Sequence, residues 1–488
     1  MSPILVLFIL LSYFAVLILI SVITSKGATS DTFFTANRQS PWYLVAYGMI
    51  GASLSGVTFI SVPASVGNTA FSYFQVVLGY VLGYWVIIGI LMPLYYKLNL
   101  ISIYTYLEQR FDRISYKTGS FFFLLSRSMG SSLRLYLAAS VLQLFLFDAW
   151  SIPFFATVAI TIFFIWIYTF KGGIKTIVWT DTFQTTFLIL AVVISVVLIA
   201  QRLDLGFASL FTLVLESDYS QMFFLDDPKS TFFFPKQFFG GAFIAITMTG
   251  LDQDLMQKNL TCKNLGDAQK NMFWLSSTLV VVNLLFLVLG ALLYIYSEKL
   301  SIPLPAVSDE LFPRLAFNEF GLLASILFLL GITASTYASS DSALAALTTS
   351  FCIDFLNFKD KPEIVKQKQK NWVHVGFSVL FLIIILIFKE INDRSLIYAV
   401  LMIATYTYGP LLGLFAFGVF TNRKVNGKLV PIVCVASPVI CYLLVTYVPS
   451  VLNGYQIGFE NLIINGLLVC LGLLLISRKN ESNTVVDK

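Results

Sequence analysis

Asp341 stands among Ser339, Ser340 and Ser342 in the run YASSDSALAAL (337–347), within a stretch otherwise apolar enough to span a membrane. A charge in hydrocarbon costs at least roughly 2.5–3.5 kcal/mol on the most lenient scale, so it persists where it faces a cavity, an ion or a partner charge. Other ionisable residues share that problem. Asp181 lies in VWTDTFQ, Asp252 and Asp254 in GLDQDLMQ, and Arg127 in LLSRSMG, all beside or inside apolar runs. Hydroxyls and carboxylates at helical spacing suit a hard cation, and a guanidinium at depth suits a carboxylate. Ser335, Ser339 and Ser342 follow one another at intervals of four and three, so they share one helix face.

The elements that must position these residues are set by composition. The chain has 488 residues, 58% hydrophobic and 12% charged, with a mean hydropathy of +0.84. A soluble domain carries about 25% charged residues. Apolar stretches of about the 20 residues needed to cross a bilayer recur from end to end, so the lipid bilayer is the first partner implied. Spans are predicted near 3–23, 42–68, 74–96, 118–147, 152–170, 181–201, 237–256, 271–296, 319–353, 372–388, 395–420, 429–447 and 459–476. No water-soluble domain fits between them. The first run lacks a basic flank and a small-residue cleavage site, which reads as a retained helix. The five cysteines show no metal-ligand spacing and read as small apolar residues. His374, the single histidine, reads as an interfacial residue rather than a proton relay.

Loop charges predict orientation. Alternate loops hold Lys26 and Arg38; Lys97, Arg110, Arg113 and Lys117; Lys171 and Lys175; Lys258, Lys263 and Lys270; Lys359, Lys361, Lys366, Lys368 and Lys370; and Arg423, Lys424 and Lys428, with Arg478 and Lys479 in the tail. The positive-inside rule puts these in the cytoplasm, with the N-terminus outside and the C-terminus inside a plasma or inner membrane. This placement accounts for the formal charge of +5 without a nucleic-acid partner.

Two spans are interrupted. GASLSGVTFISVPASVGN (51–68) crowds small and hydroxyl residues with Pro63, and FGGAFIAITMTGLDQDLMQ (239–257) carries glycine and two acids. Backbone freed at membrane depth survives where it lines a cavity or binds something. A pair of such segments five spans apart points to an inverted-repeat transporter with a site near the midplane. Close helix packing through small residues is the alternative.

Four runs then carry a resemblance. YTFKGGIKTIVWTDTFQ (168–184) resembles the Y-T-x-x-G-G-L-x-A-V-I-x-T-D-x-x-Q run of the sodium:solute symporter family, and DQDLMQKNLTCKNLGDAQKN (252–271) resembles its N-Q-x-x-x-Q-R-x-x-A-x-K-N-L run. LSGVTFISVPASVG is similar to that family's first core helix and ASTYASSDSALAALTTSFCID (334–354) to its eighth. The resemblance implies an all-α polytopic membrane protein with a five-plus-five inverted-repeat core and about thirteen helices. Its parts would be an extra N-terminal helix and cytoplasmic loop (1–40), a first repeat (41–202), an external loop (203–236), a second repeat (237–422) and two C-terminal helices with a short tail (423–488).

The function implied is secondary active symport, not enzymology: inward Na⁺ flow coupled to uptake of a small polar organic solute, a carboxylate such as sialic acid or a sugar, by alternating access. Na⁺ is the coupling ion and no organic cofactor is implied; proton or mixed coupling and a transporter-like sensor are the alternatives, and the oligomeric state is left open. A channel would need a filter segment, and none is visible. By resemblance, a first sodium site takes carbonyls of Gly51, Leu54, Ser335 and Ala338 with the Ser339 hydroxyl. A second cation site takes Asp181, Asp341 and Ser342, either as a strengthened Na⁺ site or a proton-linked one; a salt bridge from a loop lysine such as Lys175 or Lys258 is the other reading of these acids.

Arg127 lies about 10 residues past Lys117, so roughly 15 Å into the bilayer, with Arg134 seven later on nearly the same face. Arg127 would hold a substrate carboxylate, or pair with Asp252 or Asp254 and hold the bundle. Thr58 matches a substrate-binding position of the family, and Ser55 is placed beside it. Tyr73, Phe74 and Gln75 would cover the site or belong to an aromatic belt. Asp252 stands where sugar transporters often carry Asn, with Gln253 next to it.

Overall fold

The computed structural model describes residues 2–26, 36–358, 361–390 and 396–478, with only the backbone at 170–172 and 396. Lys359, Lys479 and the Lys171 side chain lie outside the described residues.

The chain is a bundle of apolar helices. They are α1 (Pro3–Thr24), α2 (Trp42–Ser53), α3 (Gly56–Thr69), α4 (Tyr73–Lys97), α5 (Arg113–Trp150), α6 (Phe154–Thr169) and α7 (Gly173–Arg202). Then come α8 (Phe234–Ala245), α9 (Gln253–Asn259), α10 (Leu265–Lys299), α11 (Leu322–Phe355), α12 (Glu363–Lys389), α13 (Leu396–Thr407), α14 (Gly409–Phe420), α15 (Val430–Val451) and α16 (Asn461–Leu475). Start signals are local: Ser2 and Pro3 open α1, the Asp112 carboxylate accepts from Ser115 N at 2.8 Å to open α5, and Asn264 accepts from Asp267 N to open α10.

Every predicted span falls on a helix or an interrupted helix. Among the described residues, eight helices are long and apolar enough to cross a membrane, or up to ten if two bent pairs are each one span. The bent pairs are α2 with α3, turned by 55°, and α13 with α14, turned by 47°. Two boundaries differ from the sequence reading in ways that matter. The helix carrying Asp181 begins at Gly173, where φ is 54°, so Asp181 sits about two turns inside α7 rather than at its start. The seventh span continues past its break through α9, which carries Lys258 inward instead of leaving it in a loop.

α11 is the axis of the bundle: residues 331–350 are buried without interruption. A helix enclosed on every side is a core span, so Asp341 and its serines face protein all round. Close approach elsewhere depends on glycine. Where α4 crosses α8, a Cβ at Gly79 would lie 2.0 Å from Phe238 O, one at Gly83 2.3 Å from Ala242 O, and one at Gly241 2.2 Å from Val76 O. The backbones therefore touch directly, as small-residue interfaces allow. Gly241→Val should force them apart and cost about 1–3 kcal/mol, read as a lower melting temperature of the detergent-purified protein; an unchanged melt would contradict this packing.

Candidate functional site

The two interruptions in the core differ in how their freed backbone is satisfied. At the first, Leu54 (φ −88°, ψ 68°) and Ser55 (φ −60°, ψ 172°) leave helical geometry between α2 and α3. No hydrogen bond to the carbonyls of residues 51–54 is found among the described residues. The Ser53 hydroxyl is buried without a partner. The turn packs backbone-first on α11: a Cβ at Gly56 would lie 2.1 Å from Thr336 Oγ1. That hydroxyl also lacks a partner. Ser335 and Ser339 flank it on the same face and donate back to Ile332 O (3.1 Å) and Thr336 O (3.0 Å).

The second interruption is closed from within. The π-turn Ile246–Gly250 leads into Leu251 and Asp252 before α9 resumes. Tyr95 donates to Gly250 O at 2.8 Å and Tyr104 to Leu251 O at 2.9 Å. Gln253 spans to the segment before α5, accepting from Ile103 N (2.9 Å) and donating to Ile101 O (2.7 Å). Asp252 caps α9 through Asp254 N at 2.9 Å and accepts from Tyr408, the residue at the α13–α14 bend, at 2.5 Å. Arg127 closes the node, bonding Asp254 Oδ2 and lying 3.7 Å from Asp252 Oδ2. All three charges are buried.

Between the interruptions lies a cavity of about 90 Å³. Ser53, Leu54, Ser55 and Thr58 line it from the first break, Met248 and Thr249 from the second. Tyr73, Tyr80 and Tyr84 of α4, Asn283 of α10 and both arginines complete the polar wall. Arg134 has no carboxylate within salt-bridge distance and no hydrogen-bond partner among the described residues. It is the cation of this cavity that no carboxylate of the described residues contacts directly.

One turn from the first break, Thr185 of α7 accepts from Gly51 N at 3.1 Å. Asp181, four residues before it, lies beside Gly48, where a Cβ would stand 3.0 Å from Asp181 Cβ. Lys258 Nζ is 2.6 Å from Asp181 Oδ2, with both residues at most 1% exposed. Asp341 accepts from Tyr168 OH at 2.8 Å through Oδ2, and Ser342 donates to Ala338 O (2.8 Å) and Asp254 Oδ2 (3.3 Å).

The sodium:solute symporter family profile matches residues 33–429. The chain belongs to the sodium:solute symporter family. It is a Na⁺-coupled secondary transporter and not an enzyme. It is 25% identical to the sodium/sialic acid symporter NanT of Aliivibrio fischeri, across 88% of this chain and 87% of that one. It is 25% identical to the sodium/sialic acid symporter SiaT of Proteus mirabilis, across 86% of each. Sodium-coupled monocarboxylate transporter 1 of Mus musculus is 27% identical over 80% of this chain and 64% of its own length. In fold, the chain is similar to a solved substrate-bound, outward-open Na⁺-coupled sialic acid symporter, with a TM-score of 0.83 at 21% identity over 97% of this chain and 99% of that one.

Within this symporter, Ser55, Thr58, Tyr73 and Arg127 line the cavity. Phe74, Gln75, Asp252 and Gln253 do not. Gln75 is fully buried and pins the loop between α7 and α8, donating to Phe232 O at 3.0 Å and accepting from Phe224 N at 3.1 Å. Leu54 lines the cavity at the first break, Gly51 packs on Thr185 of α7, and Ser335, Ala338 and Ser339 are buried on α11, whose Thr336 meets the first break at Gly56; Asp181, Asp341 and Ser342 share no direct hydrogen bond among the described residues. His374 is buried against α11, 3.0 Å from Thr348 Oγ1 through Nδ1. Arg134, Thr336, Asn283 and the three tyrosines closing the second break were not singled out by sequence; a second arginine two turns from the first was the available signal for Arg134.

Arg127 and Arg134 should therefore respond differently to removal. Arg127→Ala leaves two buried carboxylates unmatched and should cost about 3–5 kcal/mol, seen as a lower ligand-free melting temperature. Arg134→Ala should leave that melt nearly unchanged. The opposite ranking would contradict the pairing.

Proposed function

We propose that the chain couples inward Na⁺ movement to uptake of a small carboxylate-bearing solute by alternating access, with the carboxylate seated on Arg134. The observation that carries this reading is the Arg134 guanidinium in the cavity between the two breaks, which no carboxylate of the described residues contacts directly. Arginine cannot shed its proton, and its planar fork matches a carboxylate in two parallel bonds. A solute anion supplies the charge that the protein withholds. The relatives described as sialic acid symporters and monocarboxylate transporters carry substrates of this kind.

Na⁺ then binds at the first break. Carbonyls of Gly51 and Leu54 offer oxygens without competing donors, and Ser335, Ala338 and Ser339 of α11 supply the facing set; Thr336 Oγ1 is one further hydroxyl at the same contact. The second break, whose carbonyls Tyr95 and Tyr104 occupy, is left to structure. The architecture we attach to this is thirteen spans with a five-plus-five repeat (41–202 and 237–422), an added N-terminal helix and two C-terminal helices. The N-terminus would be outside and the C-terminus in the cytoplasm, which the alternation of basic loops supports.

Uptake of labelled sialic acid, pyruvate, amino acids and neutral sugars into proteoliposomes, with and without an inward Na⁺ gradient, tests the reading. A carboxylate should be preferred, and Arg134→Lys, which keeps charge but loses the fork, should raise its half-saturation concentration about tenfold or more. A neutral sugar carried best, with Arg134→Lys unaffected, would overturn it. Ser339→Ala removes one ligand of a buried ion and should weaken apparent Na⁺ affinity by about 1–3 kcal/mol; an unchanged Na⁺ dependence would remove Ser339 from the site.

A further inference from the structure

We infer that Lys258 is a tethered cation occupying the Asp181 pocket, so that the symporter binds and carries one Na⁺, at the first break, and not two. The inference rests on the proposed first site and extends it to the number of coupling ions. The ammonium is on α9 and the carboxylate on α7, and they meet at 2.6 Å with both side chains sealed from solvent. A compact ammonium on a flexible stem is the side chain that most nearly imitates a bound monovalent ion. It is also near enough to Asp254 and Asp341 to feel both charges.

What a second Na⁺ would need at this place is already taken or turned away. Asp181 Oδ2 is held by Lys258 and Asp341 Oδ2 receives Tyr168, while the Ser342 proton is shared between Ala338 O and Asp254. The oxygens left unpartnered, Asp181 Oδ1 and Asp341 Oδ1, belong to acids that share no hydrogen bond. A second monovalent cation entering between them would meet the Lys258 charge at contact range in a dry interior, where like charges repel strongly. Unlike an ion, the ammonium cannot leave with the solute. It balances Asp181 on both sides of the transport cycle and moves no charge across the membrane.

The test is to count ²²Na⁺ bound at saturation to the purified full chain and to follow Na⁺ activation of uptake in proteoliposomes. Wild type should bind one Na⁺ with a Hill coefficient of about 1, and Lys258→Gln, which frees Asp181, should bind a second with a coefficient approaching about 2. Ser339→Ala should weaken the wild-type ion while Asp181→Asn spares it. Two ions in wild type, or a folded Lys258→Gln that still binds one, would overturn the inference; so would a single ion lost in Asp181→Asn and kept in Ser339→Ala. No bound Na⁺ in wild type would instead overturn the proposed coupling ion. If Lys258→Gln does not fold, the wild-type count and the Ser339 and Asp181 variants still decide the matter.

Discussion

A charge removed from water must be matched inside the protein, and the Arg127 node is where this structure meets that demand most fully. One guanidinium faces Asp252 and Asp254, which begin α9 just after the second break, while Tyr408 at the α13–α14 bend holds Asp252. An unbroken helix, α5, is thereby tied to two of the three discontinuities. Losing Arg127 leaves two buried carboxylates without their cation, which costs far more than the pair contributes when intact. The node fixes one side of the cavity as a rigid wall.

That rigidity sets apart the groups left unsatisfied. Residues 52–54, with the unpartnered Ser53 hydroxyl, and the Arg134 guanidinium border the cavity, and the unpartnered Thr336 hydroxyl of α11 packs against the same break at Gly56. Freed backbone and uncompensated charge at membrane depth are expensive, so a site built of them favours ligands that complete it. A cation and a carboxylate are complementary to this set, and each lowers the cost of the other. Coupling between ion and solute follows from electrostatics and shared walls without a long relay.

Much of this was legible in the sequence because the bilayer constrains so strongly. The apolar helices, the two interrupted segments and the odd acids at 181, 252, 254 and 341 were visible from length, hydropathy and residue type. The roles of the two arginines were not. Seven residues leave Arg127 and Arg134 on nearly one face but about 10 Å apart in depth, and only the position of the second break decides which of them meets the acids. Tyr95, Tyr104 and Tyr408 were equally hidden, since an aromatic residue in an apolar helix reads as core until its hydroxyl is seen to find a carbonyl or carboxylate. Lys258 was misplaced because the helix after the break is seven residues long, too short and too polar for periodicity to extend the span. Gln75 was drawn toward the substrate by its position at a helix start, whereas the loop between α7 and α8 claims both ends of its amide.

The central claim is a division of labour between two arginines around one sodium site. A structure of the protein solved with Na⁺ and a bound carboxylate such as sialic acid or pyruvate would test it most directly. The account predicts the carboxylate on Arg134, the ion among the carbonyls of Gly51 and Leu54 and the Ser339 hydroxyl, and Arg127 still paired with Asp254. A carboxylate seated on Arg127 with its acids displaced, or an ion at the second break in place of the tyrosine hydroxyls, would contradict it.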